Sequence, residues 1–423
     1  MKKGIVFLVL FISLMAFAIQ VNINGSYQEI NIDKAEFVAI ELLPPFQDIP
    51  SIKVISDSGT FDVDEYTIFK NINGEIFYKN YKVKCIEISA KLLEKKDREI
   101  WISWEGTDYI KNYLETYAKL FDLPIKVLEL PKISTKLVTL SKAGARLPDV
   151  VMVSAFDFPT YKELGILKDN TYLPFYYDTQ VVYVNSNLVK LNKLAWTIDE
   201  LEKISKNLIE KGLKPVAINP ISAYWFSTFL MGNGKIPLVN EKLILTDNST
   251  WKSIELIKKW YENKFFDFSF LNRDAQVAAF LKGEVGFLFQ GSFLMPKILG
   301  KLDNVSVLPL PSLMIPFKDY KGFATTKDGN IKFTKWLVSF LKNPLFEEYF
   351  SKNYIKFFDN HISDEIPFKD TFVYTSKIAQ PIPFDGKYVK LHKNIKDTLI
   401  LILNGSISVE EGTKKLEEIV NNE

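Results

Sequence analysis

The stretch of residues 273–293 constrains the fold more than any other part of this sequence. Residues 273–281 have small and apolar side chains at helical spacing, and Gly283 follows them, where glycine can adopt the left-handed backbone that ends a helix. Residues 285–289 are almost wholly apolar, as is typical of a strand covered on both faces. Residues 290–293 then bring an amide, a hydroxyl and an aromatic ring. We expect them to be exposed at the carboxyl end of the strand, where open α/β sheets bind ligands.

The bulk composition points to a soluble protein of more than one domain. A chain of 423 residues is too long for one compact core, so two or three domains are expected. The formal net charge of +2 argues against nucleic acid or an anionic membrane as the main partner. Aromatic residues make up 14% of the chain, which suits large cores and also ring platforms in a ligand cleft.

The first residues have the layout of a secretory signal. Lys2 and Lys3 precede an apolar run over residues 4–17, and Ala16-Phe17-Ala18 offers a small-x-small cleavage site. We therefore expect residues 1–18 to be a signal peptide that exports the protein to the periplasm or the extracellular side of the cell envelope. The alternative is an uncleaved anchor, for which the run is short.

Cysteine and histidine are scarce, which excludes several kinds of site. Cys85 is the only cysteine, so no internal disulfide can form, and its place in an alternating run predicts a buried strand position. The two histidines, His361 and His392, are far apart in sequence. A His-rich zinc site or a Ser-His-Asp site is therefore not expected, and we expect no cofactor, no bound metal and no catalytic residues.

Residues 19–96 differ from the rest of the chain because they read as a series of short strands. Runs such as residues 52–55 and 81–88 alternate apolar and polar side chains, and Asn73-Gly74 is a strong hairpin turn signal. We predict a β-rich accessory domain here, followed by a charged linker over residues 94–99. Its family is not evident from the sequence.

The remainder alternates strands and helices, which predicts α/β lobes. A strand around Trp101 leads through a loop to a helix that begins at Thr107 and has apolar residues at helical spacing. Thr197 and Glu200 form a capping box, which predicts the start of another helix.

Several motifs in this part occur in an order that resembles a known family. They are the strand and helix around Trp101, a "P-D-hydrophobic" strand at residues 147–152, a strand at residues 173–185 that follows a proline, a helix start at residues 196–201, and residues 282–293. In this order they resemble the type 1 extracellular solute-binding proteins, the maltose-binding-like receptors of ATP-binding-cassette importers. The likeness runs from about Glu99 to the C-terminus. Ser292 and Phe293 stand where the family pattern has proline and tryptophan, which leaves the ligand open.

The resemblance implies an α/β fold of the two-lobed periplasmic-binding-protein type II class with hinge crossovers, preceded by the small β-rich N-terminal domain. Lobe I would comprise residues 97–177 and 310–355, and lobe II residues 178–309 and 356–423. The chain would cross between the lobes near residues 177–180, 305–310 and 352–358.

The same resemblance implies a non-catalytic receptor that binds a saccharide, with an oligosaccharide favoured, in the cleft between the lobes. It would deliver this solute to a membrane permease, bind no nucleic acid and act as a monomer. Aromatic rings would stack on the sugar and carboxylates or amides would bind its hydroxyls. The side chains expected to reach the cleft are Trp104, Glu105, Ser154, Phe156, Asp157, Tyr177, Asp178, Tyr224, Trp225, Gln290, Ser292 and Phe293.

Other interpretations stay open. One of Tyr224 and Trp225 is expected in the core, with Tyr224 favoured as the ligand contact, and Tyr388 and His392 are expected on a solvated helix face. The acidic and aromatic candidates also suit a cationic solute such as a polyamine. A glycoside hydrolase with paired carboxylates is the third possibility, although 51 acidic residues make such pairs easy to find.

Overall fold

The computed structural model of the chain describes residues 17–23, 25–32, 37–39, 51–64, 67–72, 75–89, 95–120, 122–131, 133–234, 238–239, 242–359, 361–383 and 385–422. Residues 1–16 of the predicted signal peptide lie outside these ranges, and the first described strand begins at Phe17. Within the described ranges, every helix is too short or too polar to cross a membrane.

The N-terminal region is a β domain, as predicted. Its strands form one sheet with the order β2-β1-β8-β7-β6-β3, and β4 pairs with β5 and β8. The strands are β1 (Phe17–Ile23), β2 (Ser26–Ile32), β3 (Phe37–Ala39), β4 (Ser51–Ser56), β5 (Thr60–Val63), β6 (Ile68–Ile72), β7 (Glu75–Tyr78) and β8 (Tyr81–Ser89).

Alternation of side chains creates the core of this β domain. Ile52 and Val54 on β4 are buried, whereas Lys53 between them is exposed, which is the period of two that a half-buried strand requires. Cys85 lies buried on β8, which confirms the prediction for this residue. Strands β6 and β7 pair antiparallel, as the Asn73-Gly74 signal predicts, although residues 73 and 74 themselves lie outside the described residues.

The rest of the chain alternates strands and helices. Its first half contains β9 (Arg98–Ile102), α1 (Thr107–Leu120), β10 (Ile125–Glu129), α2 (Ile133–Lys142), β11 (Val150–Ser154), α3 (Phe158–Glu163), β12 (Leu173–Asn185), α4 (Ile198–Glu210), β13 (Lys214–Ala217), α5 (Ala223–Gly232), β14 (Leu238–Val239), β15 (Lys242–Leu243) and α6 (Asn248–Glu262). Its second half contains α7 (Arg273–Leu281), β16 (Val285–Gly291), α8 (Met295–Leu299), β17 (Val305–Leu308), β18 (Phe317–Thr325), α9 (Ile331–Leu341), α10 (Pro344–Tyr354), α11 (Lys369–Ile378), β19 (Gln380–Pro381), α12 (Gly386–Leu403) and α13 (Val409–Asn422).

Lobe I is a sheet with helices on both faces. The strands β10, β9 and β11 are parallel neighbours, and β18 and the first half of β12 complete the sheet with antiparallel pairing. Ile100 and Met152 pack on one face with α1, α9 and α10. Trp101 and Val153 pack on the other face with α2 and α3. Both faces are covered, so the central strand β11 is buried along its whole length and is apolar up to Ser154.

Lobe II repeats this layered plan. Strands β13, β16, the second half of β12 and β17 form its sheet. Phe287 and Phe289 on β16 pack on one face with α4, α5, α6, α12 and α13. Val285 and Leu288 pack on the opposite face with α7, α8 and α11. The buried apolar strand predicted at residues 285–289 is confirmed and extends to Gly291.

Strand β12 runs through both sheets and connects them. On β12, Thr179 pairs with Lys318 of β18, and the next residue, Gln180, pairs with Gly291 of β16. The chain passes from one lobe to the other without a loop. The predicted end of lobe I at residue 177 lies just before this change of partner.

Two further passages between the lobes follow. Strand β17 stays in the lobe II sheet, and Leu310 and Met314 still pack in the lobe II core. The chain therefore crosses along β18, from Phe317 in the lobe II core to Phe323 in the lobe I core, later than the predicted residues 305–310. The last passage runs through Lys356 on the segment that follows α10.

Local signals at the helix ends are confirmed, with one correction in the linker. The Thr197–Glu200 capping box is present at the start of α4, and Gly283 after α7 has the left-handed φ of 78°. Arg98, which we predicted in the charged linker, instead begins β9 and is buried. It is held there because its guanidinium donates to Asp149, at 3.0 Å.

Candidate binding site

A cavity of about 210 Å³ lies between the two lobes, and we call it the cleft cavity. Side chains from lobe I, from lobe II and from the connecting strand β18 form its walls. They are Trp104, Ser154, Phe156, Asp157, Tyr224, Asp319, Lys321, Ile382, Tyr388 and His392. Clefts between domains are common ligand sites, so this cavity is the candidate site.

The lobe I wall comes from loops that follow parallel strands. Trp104 follows β9, and Phe156 and Asp157 follow β11. Ser154 Oγ donates to Asp157 Oδ2 at 2.7 Å, and the Asp157 backbone N–H donates back to Ser154 Oγ at 3.1 Å. These reciprocal bonds fix the loop, so the Asp157 carboxylate is held in one position before any solute arrives.

The connecting strand supplies the charged part of the wall. Asp319 and Lys321 are two residues apart on β18, so they share a face of the strand. Lys321 Nζ lies 2.7 Å from Asp319 Oδ2, and it also lies 5.5 Å from the centre of the Trp104 ring. Lys321 is 6% exposed, so this cation is paired with a carboxylate and covered by an indole.

The lobe II wall comes from helices. Tyr224 lies in the first turn of α5, whose N-cap is Ser222, and Tyr388 lies in the first turns of α12. The Tyr388 hydroxyl shares a 2.7 Å hydrogen bond with Ser227 Oγ. Burial raises the pKa of Tyr388, and the bond to Ser227 opposes this only in part, so the phenol stays neutral. The hydroxyl also donates to the Ala223 carbonyl at 3.4 Å, so packing and two hydrogen bonds fix the ring.

The two lobes meet across the cavity. The Phe156 ring of lobe I lies 6.1 Å from the Tyr388 ring and 4.7 Å from the His392 ring, both on α12. A Cβ atom at Gly386 would collide with the Glu163 carboxylate at the end of α3. The structure therefore shows the cleft closed, with α12 packed close to α3.

Two polar atoms in the cavity stand out. The Tyr224 hydroxyl and Asp319 Oδ1 are buried, and neither has a hydrogen-bond partner among the described residues. Burial raises the pKa of Tyr224, and the nearby carboxylates of Asp319 and Asp178 raise it further. Buried polar atoms are normally paired, because an unpaired one costs about 1–3 kcal/mol. The cavity can satisfy both atoms by holding a guest with hydroxyl groups.

Glu105 and Asp178, both predicted to reach the cleft, belong instead to an ion cluster at the hinge. Lys356 Nζ donates to Asp178 Oδ1 at 2.8 Å and to Glu105 Oε2 at 3.2 Å, and Lys356 is fully buried. Burial alone would lower the pKa of Lys356, but the two carboxylates outweigh it and the pKa is raised. Asp178 lies on β12 and Lys356 on the last passage, so the cluster joins two of the three connections.

The other predicted residues also lie outside the cleft cavity. Tyr177 packs in the core with Phe357, and Trp225 packs in the core of lobe II, as expected for one of the Tyr224–Trp225 pair. Gln290 and Ser292 are buried, contrary to the expected exposure, because protein groups satisfy them: Gln290 donates to Gln276, and Ser292 accepts from the Thr179 N–H. Phe293 is half-buried, with the Arg273 guanidinium 5.7 Å from its ring centre.

Sequence reasoning missed Asp319, Lys321 and Ile382. The spacing of Asp319 and Lys321 shows that they share a strand face, but nothing local indicates that this strand lines the cleft. Tyr388 is buried in the cavity wall, which corrects the expected solvated face. His392 does keep an exposed side, and its four-residue spacing from Tyr388 was the available signal.

A family model described as bacterial extracellular solute-binding protein matches residues 103–316, half of the chain. The chain belongs to this family. No curated protein sequence matches this solute-binding protein.

Solved structures share its fold at low sequence identity. An extracellular solute-binding protein from Staphylococcus aureus in complex with maltose is 16% identical, with a TM-score of 0.64, and the match covers 78% of this chain and 98% of that one. The GacH receptor of Streptomyces glaucescens, solved unliganded and with acarbose, is 15% identical, with a TM-score of 0.64 and coverage of 77% and 98%. A cyclo/maltodextrin-binding protein complexed with maltotetraose is 16% identical, with a TM-score of 0.64 and coverage of 78% and 98%. These matches show that the two-lobed fold of this solute-binding protein is that of sugar-binding relatives.

Proposed function

We propose that this protein is the non-catalytic receptor of an ATP-binding-cassette importer and that it binds a saccharide in the cleft cavity. The observation that carries the proposal is the cavity wall itself. Aromatic rings from both lobes line it together with the Tyr224 hydroxyl and Asp319 Oδ1, which have no hydrogen-bond partner among the described residues. A sugar offers C–H faces to rings and hydroxyl groups to unpaired polar atoms. The sugar-binding relatives of the same fold support this choice.

The charges in the wall favour a neutral sugar over a cation. Lys321 already lies over the Trp104 ring and pairs with Asp319, so a polyamine would meet a fixed positive charge where it needs an aromatic face. Each carboxylate also has one oxygen engaged, because Asp157 Oδ2 accepts from Ser154 and Asp319 Oδ2 binds Lys321. This arrangement suits binding without hydrolysis, and we expect bound saccharide to be released unchanged.

Mechanistically, the solute would stabilise the closed form because only that form brings both walls to it. Trp104 and Asp157 would bind from lobe I, and Tyr224 and Tyr388 from lobe II, with β12, β18 and the Lys356 segment as the hinge. Export by the N-terminal segment would place the receptor on the outer side of the cytoplasmic membrane, where a monomer would deliver its solute to the permease.

The test is to identify what the protein carries. Mass spectrometry of molecules released from the purified, denatured protein is expected to show a saccharide. A thermal-shift panel of saccharides and polyamines is expected to raise the melting temperature with saccharides only, because a ligand of the native state stabilises it. Stabilisation by a polyamine alone would contradict the proposal and favour a receptor for a cationic solute. The appearance of cleaved sugar after long incubation would contradict it and favour an enzyme.

A further inference from the structure

One face of the β domain sheet is exposed and basic, and it lies outside the residues that the solute site uses. The family match begins at residue 103, so the β domain is an addition to the solute-binding fold. Phe69, Ile76 and Val83, on β6, β7 and β8, point into the core of the domain. Their neighbours along each strand point to the opposite face, because side chains alternate along a strand.

Three strands contribute to this opposite face, which we call the basic face. Lys70 of β6 pairs in register with Phe77 of β7, and Phe77 pairs with Lys82 of β8. Ile68 and Ile72 lie two residues to either side of Lys70 on β6. Side chains in register on neighbouring strands have Cβ atoms about 5 Å apart, so the surface is continuous. The basic face consists of Ile68, Lys70, Ile72, Glu75, Phe77 and Lys82.

Apolar side chains on the basic face are open to solvent. Ile68 is 66% exposed and Ile72 is 43% exposed, whereas Phe77 is half-buried between the two lysines. The two isoleucines are on the same side of one strand, about 7 Å apart. Exposed apolar side chains that are grouped and rimmed by charges are typical of an interaction surface.

The charges around the isoleucines are mostly positive. Lys82 pairs with Glu75, but Lys70 and the nearby Lys84 of β8 are exposed, and neither forms an ion pair with a described residue. Residues 67–84 contain four lysines and one acidic residue, whereas residues 57–65 contain four acidic residues and no basic one. The whole-chain net charge of +2 therefore hides a local basic surface, which calls for an anionic partner.

The sheet separates the acidic strand β5 from the basic face. Phe61 of β5 stacks on Tyr81, with ring centres 5.5 Å apart, and meets the edge of Tyr78 at 5.6 Å. Tyr78 in turn lies 5.8 Å from Phe69, on the core side of the sheet. Because β5 packs on the core side, its Asp62 does not neutralise the lysines of the basic face.

The side-chain types favour a membrane surface over other anionic partners. Branched aliphatic side chains are buried favourably at the boundary between headgroups and acyl chains, and lysines bind lipid phosphates. An anionic glycan would call for exposed aromatic rings, but the most exposed apolar residues of this face are Ile68 and Ile72. A second copy of the chain, paired face to face about a two-fold axis, would oppose lysines with lysines.

We propose that the basic face docks the β domain on a membrane surface that contains anionic lipids. Ile68 and Ile72 reach the boundary of headgroups and acyl chains, and Lys70 and Lys84 bind lipid phosphates. The contact is peripheral and leaves the two lobes free to open and close. This inference goes beyond the proposed function and does not depend on it, because solute binding and membrane docking use different domains.

The experiment is vesicle co-sedimentation of the exported protein, whose N-terminus is first checked by mass spectrometry. It compares vesicles of phosphatidylcholine alone with vesicles of equal parts phosphatidylcholine and phosphatidylglycerol. The protein is expected to bind only the second kind, and less tightly as salt is added, because salt screens exposed charges. Equal binding to both kinds, or binding to neither, would overturn the proposal.

A matched pair of variants tests the lysines. Lys70→Gln/Lys84→Gln is expected to weaken binding to the anionic vesicles roughly 25-fold, at about fivefold for each lysine. Lys252→Gln/Lys301→Gln removes the same charge from exposed positions of lobe II and is expected to weaken it less than about twofold. Equal loss in the two double variants would show that net charge, and not the basic face, attracts the protein.

A second pair tests the apolar contact. Ile68→Ser is expected to weaken vesicle binding about fivefold or more, because the side chain no longer reaches the acyl boundary. Leu345→Ser, at a 72% exposed position of α10, is the control and is expected to leave vesicle binding unchanged. All of these side chains are exposed, so thermal unfolding and saccharide binding are expected to match the parent protein.

Two soluble competitors distinguish the membrane from other sources of negative charge. Glycerol phosphate, at the phosphate concentration of the vesicles, is expected not to displace the protein, and displacement would indicate a site for free phosphate instead. Polygalacturonate is the probe for an anionic glycan. Binding of polygalacturonate that Lys70→Gln/Lys84→Gln abolishes, without any vesicle binding, would make a glycan the partner and overturn membrane docking.

Discussion

The two walls of the cleft cavity are built in different ways. The lobe I wall consists of loops fixed by local hydrogen bonds, with Trp104 in a left-handed conformation and Asp157 bonded to Ser154. The lobe II wall consists of helix side chains fixed by packing, with Tyr388 held by Ser227 of a neighbouring helix. Lobe I can therefore be ready for the solute on its own, whereas lobe II acquires its position by closing.

The hinge cluster of Lys356, Asp178 and Glu105 belongs to neither wall, and breaking it is expected to reduce stability more than any other change. Lys356→Met leaves Asp178 buried without its counter-ion, and breaking such a pair costs about 3–5 kcal/mol of the free energy of unfolding. Urea unfolding followed by fluorescence measures the loss. The double variant Lys356→Met/Asp178→Asn removes the unpaired charge and is expected to recover part of it. A single variant as stable as the parent would show that the cluster does not hold the lobes together.

Next in size is the contribution of Trp104 to binding. Trp104→Ala removes the indole from the wall of the cleft cavity, and it is expected to weaken saccharide binding roughly thirtyfold or more, the equivalent of about 2 kcal/mol for a central aromatic contact. Isothermal titration calorimetry with the saccharide found on the protein measures this. Tyr349→Ala, at a half-exposed position of α10 outside the cleft-cavity lining, is the control. Equal loss in the two variants would contradict a special role for the lobe I wall.

A smaller effect is expected from the lobe II wall. Tyr388→Phe keeps the ring against Phe156 but leaves Ser227 Oγ without this buried partner. Loss of that bond is expected to cost about 1 kcal/mol of stability, with little change in saccharide Kd. Thermal unfolding measures the change in stability, and titration calorimetry measures the change in saccharide Kd. A large change in the saccharide Kd with unchanged stability would mean that the Tyr388 hydroxyl binds the solute. Both walls would then contribute polar groups to binding.

The smallest effect is a pH dependence at the contact between the walls. Burial against Phe156 lowers the pKa of His392 below its usual 6.5, and the nearby Asp157 opposes this only in part. Below pH 6.5 the unfolded chain therefore binds more protons at this residue, so its effect on stability becomes unfavourable as pH falls. His392→Gln is expected to lose slightly less melting temperature than the parent between pH 7 and pH 5. An identical shift in the parent and in His392→Gln would refute the idea.

Much of the fold could be predicted because its signals are local. The capping box at Thr197, the glycine after α7 and the apolar run of β16 each specify their element without reference to the rest of the chain. The loops that follow β9 and β11 could be assigned to the cleft for the same reason, since the carboxyl ends of parallel strands share one edge of the sheet.

The rest of the site depends on contacts between residues distant in sequence. Gln290 and Ser292 look like exposed polar residues after a strand, yet Gln276 and Thr179 satisfy them inside the protein. Asp178 has a buried partner, Lys356, that is 178 positions away. Tyr388 lies among lysines that suggest a solvated helix face, and only the packing of α12 against α3 and α5 buries it. Residue spacing and composition do not reveal such contacts between residues that are distant in sequence.

The unbroken passage of β12 through both sheets has a practical consequence for dissecting this receptor. Each lobe is assembled from separate stretches of the chain, and cutting between Thr179 and Gln180 would interrupt both sheets at once. Neither half can be obtained by simple truncation at that bond. Isolating either lobe would require a circularly permuted gene. The new termini would lie on a surface turn, and a linker would join the old ones.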